Sequence, residues 1–210
     1  TNDDAKQYLL RQIESETLKV KVGECVFFRM ATGSSELYVS LGDENLTNEE
    51  FRELASTLYK KLKSEKIEDI QLSLDSIPTK DKATMLGALT EGFIMSDYKF
   101  ETFKEQPKKK ASELSIEFTS SKINASLKKS LADAEIIAEG VNFARWLGDC
   151  PGNFMTPSQL AEEAKKSAKG TKLKVTAWDK ARITKEKMDS LIGVSNGSSE
   201  EPRFIIMEYQ

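Results

Sequence analysis

The side chains able to do chemistry are few in kind and poorly placed for it. The 210 residues contain no histidine, which excludes a Ser-His or Cys-His nucleophile pair, a His-ligated zinc and a His general base. Any chemistry falls to carboxylates, lysines, hydroxyls or a metal held by oxygen. Aspartate and glutamate number 34, yet they are spaced as solvated helix faces, and no pair has metal-ligand spacing in a supporting context. Cys150 follows a helix C-terminus and precedes proline; it lacks the N-terminal dipole that lowers a thiol pKa. Gly193 and Gly197 lie close together, but neither a dinucleotide fingerprint nor a P-loop runs through them. The loop Asn196 to Ser199 either presents backbone N–H groups to an anion or is a plain connection. Asp149 and Asn153 flank a Pro-Gly turn and either face a site between domains or cap their own backbone. Local chemistry therefore assigns no catalytic, cofactor-binding or metal-ligating residue.

Composition narrows the class. Apolar residues make up 39% and charged residues 31%, with a formal net charge of −3. That balance argues against a protein whose main task is neutralising phosphates, so nucleic acid is not an expected partner. Gln106-Pro107-Lys108-Lys109-Lys110 reads as a solvated hairpin tip, since three lysines without interleaved aromatics make a weak nucleic-acid footprint. No apolar run is long enough to cross a bilayer and no basic-then-apolar leader is present, so a soluble, cytoplasmic protein without membrane contact is expected. Thr1 suggests a trimmed start. Cys25 and Cys150 are too few for a disulfide scaffold and read as reduced thiols packed as small hydrophobes.

Around these groups the chain reads as alternating helices and strands. A short helix comes first. Leu18, Val20 and Val22 alternate with lysines, Cys25 to Phe28 is a compact apolar run, and Leu37, Tyr38, Val39 and Leu41 follow a turn at Gly33-Ser34-Ser35. Thr47-Asn48-Glu49-Glu50 is a capping box opening a helix with Phe51, Leu54, Ala55, Leu58 and Leu62 on one face. Ile67, Ile70, Leu72 and Leu74 form a strand ended by Pro78. Pro78 to Met95 is a second helix, whose Gly87 and Gly92 permit close packing. Tyr98, Phe100 and Phe103 are extended, and Leu114, Ile116 and Phe118 alternate as a strand. This mixture implies a compact α/β domain over residues 1–125.

The stretch from Leu131 to Pro157 turns the chain from one unit to the next. Leu131, Ala134, Ala138, Val141 and Ala144 share one helix face, while Ile136, Ile137, Phe143 and Trp146 widen it, which predicts burial on more than one side. Asp133, Glu135 and Glu139 near its start and Arg145 near its end follow the helix dipole. Gly148 should stop it, and since Pro151 fixes φ and Gly152 permits φ > 0 the chain should turn there. Thr156, Pro157 and Gln159 then make an N-cap, an N1 proline and a capping box, so the bend should fix one domain against another. Leu160, Ala161, Ala164 and Ala168 point inward, Gly170 ends this helix, and Leu173 and Val175 start a strand. Thr184 to Leu191 is a short helix, Leu191 to Val194 a strand, and Arg203 to Tyr209 a central strand covered on both faces. The domains expected are 1–125, a linking helix at 126–148, and an incomplete unit at 149–210.

This order of residues resembles a known family. Glu139-Gly140 through Ala144-Arg145, Pro151, Asn153, Met155-Thr156-Pro157, Leu160-Ala161, Val194, Gly197-Ser198, Pro202-Arg203 and Glu208-Tyr209 look like the segment entering the catalytic domain of the leucyl (cytosol) aminopeptidases. Upstream, Gly87-Ala88-Leu89, Glu91-Gly92 and Tyr98-Lys99-Phe100 are similar to a helix and strand of that family's N-terminal domain. Asp149-Cys150 and Gly152 depart from the family's usual Asn-Thr and Ala beside the proline.

The resemblance implies a macro-domain-like N-terminal α/β domain with a mixed sheet, a long linking helix and the start of an α/β metallopeptidase domain. It implies a parent exopeptidase, usually a homohexamer, with two divalent ions: zinc or manganese, with magnesium or cobalt as alternatives. In that family carboxylates and a lysine hold the metals, a bridging water attacks the first peptide bond, and a second lysine and an arginine assist. Those groups lie beyond the segment matching Phe204 to Tyr209. The resemblance therefore transfers no catalytic, cofactor-binding or metal residue to these 210, and the chain alone is expected to be inactive and metal-free, serving assembly or regulation. The alternatives are an α/β module binding a nucleotide-like or nucleic-acid ligand, and a purely oligomer-forming domain.

Overall fold

The computed structural model describes residues 2–15, 21–29, 35–42, 46–105 and 113–209, with backbone alone for 2–6. The candidate strand residues Leu18 and Val20, the turn residues Gly33 and Ser34 and the charged run Gln106 to Lys110 lie outside them. The chain divides into two compact units, Thr1–Asn142 and Phe143–Gln210.

The first unit opens with helix α1 (Asn2–Glu14) and an antiparallel pair, β1 (Cys25–Arg29) and β2 (Ser35–Val39), in register from Cys25↔Val39 to Arg29↔Ser35. Helix α2 (Asn48–Ser64) starts where the capping box predicts. The Thr47 hydroxyl accepts from the Glu50 amide at 3.3 Å, and the Glu50 carboxylate accepts from the Thr47 amide at 2.7 Å, so two orphan donors are satisfied reciprocally. Its apolar face, Phe51, Leu54, Ala55, Leu58 and Leu62, is buried, and Tyr59 joins it. The helix ends in a Schellman motif with Lys66 at φ +57°: the Lys66 amide donates to Lys63 and the Ile67 amide to Leu62.

Strand β3 (Asp69–Ser73) leads through a 3₁₀ turn (Leu74–Ser76) into helix α3 (Lys82–Asp97) and then strand β4 (Ser115–Thr119). β4 runs parallel to β3, Ile70 opposite Ile116 and Leu72 opposite Phe118. A parallel pair needs a crossover, and α3 supplies it. Leu74 is buried in the 3₁₀ turn rather than in the strand. Tyr98 to Lys104 forms irregular backbone and a turn, with no strand pairing. Helices α2 and α3 pack through Gly92, where a Cβ would stand 2.5 Å from the Arg52 carbonyl oxygen and 2.7 Å from the Ala55 Cβ.

Asp75 ties these connections together. Its carboxylate accepts from Lys82 Nζ at 2.5 Å, Ser120 Oγ at 3.1 Å and the Ser121 amide at 2.5 Å, joining the end of β3, the start of α3 and the loop after β4. The lysine bond first, then the Ser121 amide, hold the carboxyl well below its ordinary value of 3.8. A depressed folded pKa stabilises fully above the unfolded value and is lost as pH falls through the folded one. Thermal melts of the parent and Asp75→Asn should therefore differ most at neutral pH, with the variant less stable, and the gap should begin to close below about pH 4 and narrow further as the pH falls. A constant gap down to pH 2 would contradict the assignment.

Helix α4 (Ala125–Asp149) begins six residues before Leu131, with Asn124 Oδ1 accepting from the Leu127 amide at 2.9 Å. Asp133 and Glu135 thus sit inside the helix, and neither end carries the charge the dipole argument required. Gly148 does not stop it. Within the first unit it rests on α3: Ser130 Oγ lies 2.9 Å from a Cβ built on Gly87 and donates to the Ala83 carbonyl at 2.6 Å, and Asn142 Nδ2 donates to the Ile94 carbonyl. Only Leu127, Ala134 and Ala138 of this helix are buried, while Ile136 and Ile137 are 68% and 54% exposed. Burial on more than one side is corrected: the small Ala134 and Ala138 allow a single close contact, and the isoleucines lie off that line.

In the second unit, α5 (Pro157–Ser167) starts at Thr156, whose hydroxyl accepts from the Gln159 amide at 3.3 Å. The capping box is only half made, because Gln159 Nε2 turns to Glu163 at 2.7 Å. Gly170, at φ +76°, ends the helix region. Strand β5 (Leu173–Trp178) pairs antiparallel with β6 (Phe204–Tyr209). Between them lie α6 (Lys180–Lys185) and α7 (Asp189–Ser195). The single helix expected over Thr184 to Leu191 is thus two, split at Lys187 (φ +56°) by a second Schellman motif, Lys187 to Thr184 and Met188 to Ile183. Leu191 to Val194 is helical rather than a strand. Leu160 is 38% exposed, while Ala161 and Ile183 are buried. β6 is not covered on both faces: Met207 and Tyr209 are 48% and 80% exposed.

Candidate functional site

Pro151 accepts from the Phe154 amide at 2.8 Å and the Met155 amide at 2.9 Å, making one right-handed turn. The expected turn is present, and Gly152 is not among the glycines at positive φ, since a right-handed turn asks for negative φ. The Cys150 thiol is 8% exposed and pushed up by burial first, then by the carboxylates of Asp149 and Glu163. It stays protonated and is no nucleophile. Cys25 is pushed up by burial too, with Lys61 opposing, and its thiol donates to the Gly23 carbonyl.

The anion reading of Asn196 to Ser199 fails on its donors. The Asn196 amide donates to Ile192, the Gly197 amide to Val194 and the Ser198 amide to Ser195. These are the closing bonds of α7, so no row of amides is left to cradle an anion.

Two of the hollows bordered by described residues lie within the first unit. The smaller, about 370 Å³, sits among α2, α3 and α4, with Arg52, Glu91, Ser130 and Asp133 on its walls. Arg52 Nε donates to Glu91 at 2.5 Å and its NH1 to Glu49 at 2.9 Å. Two carboxylates offset the charge of this guanidinium, so it attracts an anionic ligand only weakly. The larger is a cleft of about 1200 Å³ between β2 and β3, with Leu37, Val39, Leu72 and Ile77 among its walls. Tyr59 donates to Asp97 Oδ1, and its phenol is pushed up by burial and then by that carboxylate, which makes it a poor proton donor near neutrality.

Among the described residues, no three His, Cys, Asp or Glu side chains are grouped to hold a metal ion. A dinuclear centre needs several oxygen donors converging on each ion, and the donor sets present do not fit one. The ion pairs that sequence reasoning missed, Arg52 with Glu91 and Asp75 with Lys82, join elements 39 and 7 residues apart. No short-range pattern marks them.

Comparison with known proteins finds two family models in order along the chain. The N-terminal domain of the cytosol aminopeptidase family matches residues 1–107, and the catalytic domain of the same family matches residues 142–210. Among curated relatives, a probable cytosol aminopeptidase from Bdellovibrio bacteriovorus is 40% identical over 218 residues, covering 100% of this chain and 43% of that protein. One from Aquifex aeolicus is 32% identical over 205 residues, covering 95% and 40%. A solved tomato leucine aminopeptidase mutant superposes with a TM-score of 0.84 at 23% identity, covering 98% of this chain and 42% of that one. The bottromycin maturation enzyme BotP in complex with Mn gives 0.78 at 21%, covering 94% and 41%. At these identities the structures speak for the α/β fold alone. The chain spans less than half the length of these relatives.

Proposed function

Because the chain belongs to the cytosol aminopeptidase family, we propose that the protein it comes from removes N-terminal residues from peptides using two divalent metal ions. The observation that carries this is the order of the two family matches, residues 1–107 and 142–210, with β4 and the first part of α4 in the interval between them. The proposed layout is an N-terminal domain at 1–125, a linking helix at 126–148 and the opening of the peptidase domain at 149–210. A cytoplasmic setting without membrane partners is proposed from the family; among the described residues no helix is long and apolar enough to cross a membrane.

We place the catalytic and metal-holding groups outside these 210 residues. The groups described here are engaged in capping, ion pairs and core packing, so these residues act as the assembly and positioning part of the enzyme, within a homohexamer when full length. The metals, manganese or zinc first, supply a Lewis acid and an activated water when bound. Titrating Mn²⁺ calorimetrically should give two sites per protomer in the protein extended to its full length and no stoichiometric binding in the 210-residue chain. Two sites in the short chain would overturn the assignment.

A further inference from the structure

The larger cleft of the first unit has an unusual lining. Every residue of β2, Ser35–Val39, and every residue of β3, Asp69–Ser73, borders it. Successive side chains of a strand point to opposite faces, so a wall touched by five consecutive residues is the edge of that strand. The ladders agree. Among the described residues β2 pairs only with β1, and β3 only with β4. Each strand therefore presents one edge of unpaired N–H and C=O groups. Leu54, Leu58 and Leu62 of α2 and Leu89 of α3 are among the other residues that line it, and all four are core residues at most 4% exposed. Two free edges beside an apolar bed form a template for strand addition.

We propose that this cleft seats one further β-strand, supplied by the protein's own polypeptide outside Thr1–Gln210, which joins the β1–β2 and β3–β4 ladders into one sheet. Size favours one strand. A five-residue strand is about 17 Å long, about 4.8 Å wide and about 10 Å deep with its side chains, or about 800 Å³. The cleft of about 1200 Å³ holds that and is too small for two. The source follows from length: the Bdellovibrio relative matches this whole chain with only 43% of its own residues, so such proteins have ample further chain. The lining also states the chemistry of the occupant. Its face toward the leucines is apolar, and lysine or arginine flanks it, because Glu36, Glu65 and Asp69 border the cleft and, among the described residues, no lysine or arginine does. The inference rests on family membership and not on the peptidase reading.

Hydrogen exchange resolved to single amides tests it, first in the full-length protein. Both alternating sets of amides in Ser35–Val39 and Asp69–Ser73 should be protected there, since each strand has neighbours on both sides. In the 210-residue chain the set not bonded to β1 or β4 should exchange at least 100-fold faster, with α2 amides little changed. Free exchange of alternate β2 and β3 amides in the full-length protein overturns the proposal, whether or not the short chain folds well. Equal protection in both proteins overturns it too, as does protection in the short chain that rises with its concentration, which would make a second copy the occupant. Activity plays no part in the readout, so failure here leaves the peptidase reading untouched.

Discussion

Replacing Gly92 with alanine is expected to lower the melting temperature of the first unit by about 10 °C, equivalent to about 3 kcal/mol. The added methyl would stand 2.5 Å from the Arg52 carbonyl oxygen, 2.7 Å from the Ala55 Cβ and 2.9 Å from the Arg52 Cα. Two of those three atoms are backbone of α2, so no rotamer change relieves the clash. The helices must part, and Leu54, Ala55, Leu58 and Leu89 lose contact as they do. Gly140→Ala is the matched control. It also lies inside a helix, nothing stands within 4 Å of the built Cβ, and alanine is the better helix former, so stability should rise by about 0.5–1 kcal/mol. Denaturant midpoints measured on both variants check the opposite signs. Loss of stability in both would mean that the α2–α3 contact is not what the glycine serves.

Leu62→Ala should cost about 3 kcal/mol, within the usual range for a fully enclosed leucine. Leu62 has no exposed surface, and its carbonyl also accepts the closing bond of the Schellman motif from Ile67. Truncation removes fully buried methyl groups on the wall of the larger cleft, which Leu62 also lines. Ile137→Ala, at a residue 54% exposed on α4, should stay within about 0.5 kcal/mol. Urea unfolding of the two variants measures the contrast directly, and an equal loss at both would place α4 deeper in the core than its exposure allows.

The parts of this fold legible in sequence are those whose determinants are local. The capping box at Thr47, the N-cap at Thr156 and the alternation of Ile70 and Leu72 each act within a few residues, and each appears where it was read. Gly92 was legible too, since a small residue in an apolar helix has few uses besides close packing. What failed depends on contacts distant in sequence. Burial of α4 was overread because Ile136 and Ile137 look identical to core residues when only periodicity is seen. The parallel pairing of β3 with β4 hides behind the crossover through α3. Lys187 takes a left-handed conformation without being Gly or Asn, so the break between α6 and α7 carries no residue signal. The family was legible through scattered positions from Glu139 to Tyr209, and both family models agree with it. A catalytic centre could not be read from residue types here, where the groups with chemistry are spent on caps and ion pairs.

The most direct test of the central claim is hydrolysis of a leucine amide with added manganese or zinc, run in parallel on the 210-residue chain and on the protein at full length. Metal-dependent release of leucine by the full-length protein alone is the predicted result. Metal-dependent turnover by the 210 residues, or none by either protein, would contradict it.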